Sequence, residues 1–213
     1  MTSMATPDAF IAHVSKSGLF DNRPTASQLQ GSLFLITYMG KAAWPLGWSA
    51  YGLATAYHET DATMRPITEL GGYDYFMKRY DISGTNPSLA RELGNSKVGD
   101  GALFCGRGYA QCTGRANYAM ADRVLGTDGE LIADPDRMLD PDIAARLLII
   151  AMENGDFTGR KCADYLGPKT SEVPVSRLQF LNARRIINGL DCAEVIAGQA
   201  LLFQSVLQLC KWH

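Results

Sequence analysis

The feature that most constrains this chain is the stretch from Leu33 to Tyr57, dominated by apolar residues and interrupted once, at Lys41-Ala-Ala-Trp-Pro45. A membrane-crossing helix needs about 20 consecutive apolar residues, and Lys41 and Pro45 break the stretch too early. The spacing instead predicts two buried core helices joined by a turn. With 213 residues, 46% of them hydrophobic and 20% charged, the chain can enclose a real core in one generous domain or two lobes around a cleft.

Local signals place further helices around this pair. Thr25-Ala-Ser-Gln28 has capping-box spacing and predicts a helix through Leu33, Leu35 and Tyr38. The second helix is expected from about 46 to 59, and its pattern fails between Thr60 and Gly72, where Pro66 and Gly71-Gly72 favour turns. Residues 73–118, rich in Gly, Asn, Asp and Tyr, read as the least helical part, with one short helix after Asn86-Pro87. Helices are then expected over 115–125, from Asp140-Pro141 to a stop at Gly155, over 176–187, and over 191–210, the last opened by Asp191-x-x-Glu194. The fold class is therefore mainly α. The domain expectation is one catalytic unit over 1–213, irregular over about 60–118, without a separate wall-binding domain.

Several chemistries are excluded by what is missing. With 20 basic and 22 acidic residues, net charge −2, no global field draws the chain to nucleic acid or anionic lipid, and no basic patch stands out in the sequence. His58-Glu59-Thr60-Asp61-Ala62 starts like a zinc-protease signature but has Ala62 where the second histidine belongs. The other histidines are His13 and His213, so a histidine-rich metal site is not expected, and the two-carboxyl chemistry open to Glu59 and Glu69 would use neither a metal nor an organic cofactor. Asp134-Pro-Asp136 and Asp140-Pro-Asp142 lack the glycine and glutamate of a calcium loop. Gly106-Arg-Gly108 lacks the third glycine of a nucleotide fingerprint. The five scattered cysteines read as reduced thiols, Cys105 and Cys112 being the pair able to oxidise in another compartment. The N-terminus shows no secretion signal.

Glu59 and Glu69 are the acidic pair that fits a reaction. Glycosidic cleavage needs one carboxyl to protonate the leaving oxygen and a second group to activate water or attack the sugar. Glu59 ends an apolar helix beside Tyr57 and His58, where burial would favour the protonated form. In one continuous helix the two carboxylates would lie about 15 Å apart. Pro66 makes that helix impossible, and a bent connection would let Glu69 face Glu59 across a water-sized gap.

Four segments occur in order: Ala54-Thr-Ala-Tyr-His-Glu-Thr60, Pro66-x-x-Glu69, Phe104-Cys-Gly-Arg-Gly-Tyr-Ala-Gln-Cys-Thr-Gly-Arg-Ala-Asn-Tyr118 and Ile186-Ile-Asn-Gly189. With Leu93-Gly-Asn95 and Gly99-Asp-Gly101, they resemble glycoside hydrolase family 19 in the short form of bacteriophage endolysins, over roughly residues 45 to 205. The resemblance implies a lysozyme-like fold with two lobes around a cleft, and inverting hydrolysis of β-1,4-linked N-acetylated sugars. It implies Glu59 as general acid, Glu69 as base (Asp61 and Asp74 in reserve) and Thr113 as the hydroxyl that holds the water. Gln111, Asn117, Tyr118, Asn188 and His58 fall on sugar-contacting positions. Arg107 reads as a structural ion-pair partner. Tyr73, Tyr75 and Tyr80 suit either packing or sugar stacking, and Gln111 and Asn117 suit backbone support equally well.

The expected activity is cleavage of peptidoglycan glycan strands, with a chitinase or a non-catalytic wall-binding virion protein as the alternatives. The expected partners are those strands alone: no nucleic acid, no stable membrane insertion, a monomer. Such a protein would be made in the host cytoplasm, act on the wall in the periplasm and depend on a holin-type pore for release.

Overall fold

A computed structural model describes residues 6–212. Met1–Ala5, the start of the segment read for a secretion signal, and His213 lie outside the described residues. The first helices are α1 (Pro7–Val14), α2 (Ala26–Lys41) and α3 (Leu46–Glu59), followed by strand β1 (Ile67–Thr68). Then come α4 (Tyr73–Tyr80), α5 (Pro87–Glu92), α6 (Asp100–Leu103), strand β2 (Arg107–Gly108) and α7 (Arg115–Leu125). The chain closes with α8 (Glu130–Ala133), α9 (Pro141–Asn154), α10 (Cys162–Leu166), α11 (Arg177–Ala183) and α12 (Ala193–Leu209). The protein is mainly helical, as expected.

Residues 6–65 and 148–212 form one compact unit and residues 66–147 a second. In the first, α3 is the axis: every residue from Leu46 to Ala56 is buried, and α3 packs most extensively on α12. The apolar stretch thus resolves into α2 and α3. Among the described residues no helix is long and apolar enough to cross a membrane. The capping box forms at Thr25, whose hydroxyl accepts from Gln28 N at 3.2 Å while Gln28 Oε1 accepts from Thr25 N at 2.8 Å. Gly31 lets α2 meet the segment that follows α3, since a β-carbon there would lie 2.0 Å from the Met64 carbonyl oxygen. Gln28 Nε2 donates to Ala62 O at 2.9 Å and pins the same segment.

The second unit differs from expectation. Within residues 73–118, read as the least helical part, α5 is the short helix expected after Asn86-Pro87, whereas α4 and α6 form where no helix was expected. Tyr73–Tyr80 is poor in strong helix formers, but Phe76 and Tyr80, four apart, bury one face in a cluster with Cys105, Leu89 and Leu93. Packing outweighs propensity there. The Asp191-x-x-Glu194 capping box does not form. Cys192, at φ 55°, is the residue before α12, and Glu194 pairs instead with Arg177 at 2.6 Å. The 176–187 helix is α11 with a Ser176 capping box and a short 3-10 turn from Arg184 to Ile186.

Candidate active site

Glu59 is the last residue of α3, and Arg184 Nη1 donates to its Oε1 at 2.7 Å. The arginine side chain is 4% exposed and the glutamate 15%, so this is a largely buried pair. Arg184 Nε also donates to Asp191 O at 3.0 Å, which fixes the guanidinium plane. The apolar surroundings expected for Glu59 are therefore replaced by a cation brought in from the turn after α11. Tyr57 faces the core, its ring edge-on to Phe20 and Phe203. His58 is half-buried in the same last turn. Thr60, fully buried, closes the helix: its hydroxyl donates to Ala56 O at 2.7 Å and accepts from Met64 N at 3.1 Å. Asn188 is exposed, with its Oδ1 accepting from Gly189 N at 2.8 Å and its N–H donating to Arg184 O at 3.0 Å.

The second unit holds the other candidates. β1 and β2 pair antiparallel, Ile67 opposite Gly108 and Thr68 opposite Arg107, and Glu69 N extends the ladder to Gly106 O at 2.8 Å. A tight turn with Gln111 at φ 51° returns the chain to pair Cys112 with Arg107. This geometry brings three candidates around the bare α-carbon of Gly106. A β-carbon at position 106 would lie 2.9 Å from Gln111 Oε1, 3.0 Å from Thr113 Oγ1 and 3.2 Å from Glu69 Oε2. A side chain at position 106 would enter the space these oxygens share and push them aside.

Each oxygen is held from behind. Tyr80 donates its hydroxyl to Glu69 Oε1 at 2.7 Å. Burial first, and then the adjoining carboxylate, push the Tyr80 hydroxyl far up, so it stays a donor. Thr113 donates its own hydroxyl proton to Gln111 O at 2.8 Å and keeps its lone pairs for an incoming donor. Gln111 Nε2 donates to Ile67 O and Gly108 O, both at 3.2 Å, and Asn117 Nδ2 donates to Thr113 O at 2.7 Å. The two amides thus brace the backbone that carries Glu69 and Thr113.

Other candidates fall elsewhere. Tyr118, expected to contact sugar, is fully buried; its hydroxyl donates to Cys105 O and accepts from Arg107 Nη1, both at 3.0 Å. It has no face for a ligand because α7 turns it into the core. Arg107 points away from the Gly106 side, as strand alternation requires, and also bonds Leu103 O, Cys105 O and Asp136. Asp61 and Asp74 are both exposed, Asp61 just past α3 and Asp74 in the first turn of α4. Cys105 and Cys112 are free thiols, and burial pushes that of Cys112 up to about 12. No group of three His, Cys, Asp or Glu side chains suited to a metal occurs among the described residues.

Sequence reasoning missed Arg184 as the partner of Glu59 and, having read Tyr80 for packing or stacking, missed its bond to Glu69. Arg184 stands two residues before the Ile186-Ile-Asn-Gly189 motif, where a basic residue inside a buried turn is the signal that was available. Tyr80 left only a weaker sign, its four-residue spacing from Phe76. No protein-family model matches the chain, and no curated protein is significantly similar to it.

Proposed function

We propose that this protein is a glycoside hydrolase that cuts the β-1,4-linked N-acetylated sugar strands of bacterial peptidoglycan by single displacement. The convergence of Glu69 Oε2 and Thr113 Oγ1 around Gly106 carries the reading. Both are acceptors facing a space without a side chain. A water there gives one hydrogen to each and turns its free lone pair outward, the orientation an attacking nucleophile needs. As that lone pair bonds to the anomeric carbon, the water proton passes to Glu69. Glu59 gives its proton to the departing oxygen, so charge and protons balance without an external reagent.

Arg184 holds Glu59 through Oε1, so in this scheme Oε2 is the atom that carries the proton to the leaving group. Tyr80 orients Glu69 in the same manner. The resemblance to glycoside hydrolase family 19 gives the matching assignment, with Glu59 as acid and Glu69 as base in a two-lobed, lysozyme-like cleft. Inversion calls for about 6.5–9.5 Å between the two carboxyl groups when substrate is bound.

Glu59→Gln preserves the shape and the Arg184 contact and removes the transferable proton. It is expected to slow turbidity loss of outer-membrane-stripped Gram-negative cells by at least about a hundredfold, with the folded circular dichroism spectrum kept at the assay temperature although loss of the charge facing Arg184 lowers the melt. Mass spectrometry of sacculus digests by the wild-type protein should find new reducing sugars in the inverted, α configuration. Near-normal lysis by the variant would end the assignment.

A further inference from the structure

The second unit carries a basic pocket that the proposed reaction does not use. Tyr75, Lys78, Arg79, Thr85, Asn86 and Leu89 line a cavity of about 440 Å³ between α4 and the start of α5, and no carboxylate is among them. The sequence showed no basic patch because Lys78 and Arg79 are only two residues; folding concentrates them in one concave place. Arg79 Nη1 donates to Tyr75 OH at 3.1 Å, and its guanidinium lies 5.8 Å and 5.3 Å from the ring centres of Tyr75 and Tyr80. It is therefore held in place by aromatic groups, feels the Glu69 carboxylate beyond ion-pair distance, and has no carboxylate paired directly with it.

Among the described residues neither Lys78 nor Arg79 has a carboxylate within 4.0 Å, and Asp74, one turn earlier on α4, does not reach Lys78. Nor does Lys78 serve to finish its helix. The carbonyl at that end already accepts from Thr85 N at 2.9 Å and Thr85 Oγ1 at 3.0 Å. Tyr75, 42% exposed, and Leu89 supply an apolar wall. The pocket adjoins the Glu69 group through Tyr80, whose ring meets Arg79 and whose hydroxyl meets Glu69.

We infer that this pocket is a subsite for a carboxylate carried by the sugar strand. Two unpaired cations beside an aromatic wall suit a planar anion on an otherwise neutral saccharide. In peptidoglycan that group is a carboxylate of the stem peptide or, on residues whose peptide has been removed and whose lactyl carboxyl is no longer held in an amide, the lactyl carboxylate; chitin has neither. The inference rests on the peptidoglycan reading and narrows it to muramyl-bearing strands.

The test is binding by the wild-type protein, followed through backbone amide shifts of α4 and α5. Three disaccharides serve as probes: N-acetylglucosaminyl-N-acetylmuramic acid with its peptide, the same without peptide, and neutral di-N-acetylchitobiose. At least one carboxylate-bearing probe should bind about fivefold or more tighter than the neutral one. A gain confined to the peptide-free probe assigns the free lactyl carboxylate, a gain confined to the peptide-bearing probe assigns the stem, and a gain with both assigns a pocket that takes either carboxylate. The preference should vanish in Lys78→Gln/Arg79→Gln and in 0.5 M salt, with Lys78→Gln alone giving an intermediate loss. Equal affinity for all three probes overturns the subsite, as does a preference that survives the double substitution. Neither result depends on turnover, so failure here is distinct from failure of the Glu59 assignment, which the lysis assay reads.

Discussion

The two units of the molecule are stabilised by different means. Residues 6–65 and 148–212 are organised around α3, whose first eleven residues are all buried, with Phe203, Leu207 and Phe180 among the fully buried residues of the same unit. Residues 66–147 are tied together by carboxylates, two of them buried and one half-buried, that accept backbone N–H groups. Asp81, fully buried, accepts from Ser83 N and Oγ on one oxygen and from Gly99 N and Gly101 N on the other. Asp100 accepts from Ser96 N and Lys97 N and receives a two-pronged Arg115. Asp122 ties Thr127, Gly129 and Leu131. In this unit directional bonds from carboxylates to loop backbone supplement the apolar core.

If this contrast is right, the two units should fail in different ways. The largest effect is expected from Phe203→Ala, which empties a fully buried site on α12. It should lower the stability of residues 6–65 and 148–212 by about 3–5 kcal/mol, read from native-state hydrogen exchange. Asp81→Asn keeps the shape but removes the charge and one acceptor, and should cost about 2 kcal/mol, concentrated in amides of residues 66–147. Equal loss of protection throughout the chain would show that the units do not differ in this way.

Acid should separate them as well. Burial raises the carboxyls of Asp81 and Asp100, but the hydrogen bonds just described outweigh it and hold both below the ordinary aspartate range; Asp122 behaves alike. A lowered folded value stabilises above the unfolded value, about 3.9, and that stabilisation disappears as pH falls through the lowered one. Amides of residues 66–147 should therefore lose protection below about pH 4, and retention of their protection to pH 2 would contradict it. The smallest effect is local: Thr25→Ala removes the cap of α2 and should cost about 1 kcal/mol in a denaturant titration.

These contrasts also explain what could be read in advance. The capping box at Thr25, the Thr60 end of α3 and the Asp140-Pro141 start of α9 follow from side chains within one turn of the backbone they satisfy, and all are found. Asp140 Oδ1, for instance, accepts from Asp142 N at 2.8 Å. The α4 helix was illegible because its stability comes from Cys105 and Leu89, remote in the chain. The Asp191 signal misled because Cys192 adopts a left-handed conformation and Arg177 claims Glu194.

By itself, the sequence determined a mainly helical chain, the places where its principal helices begin and end, and the residue types available for acid–base chemistry. Only the tertiary structure decided that Glu59 meets Arg184, 125 positions away, and that Glu69, Gln111 and Thr113 share the space beside Gly106. The reason is one of range. A cap or a turn is settled by a few neighbouring dihedral angles, whereas contacts between distant residues exist only once packing has offset the entropy of bringing them together.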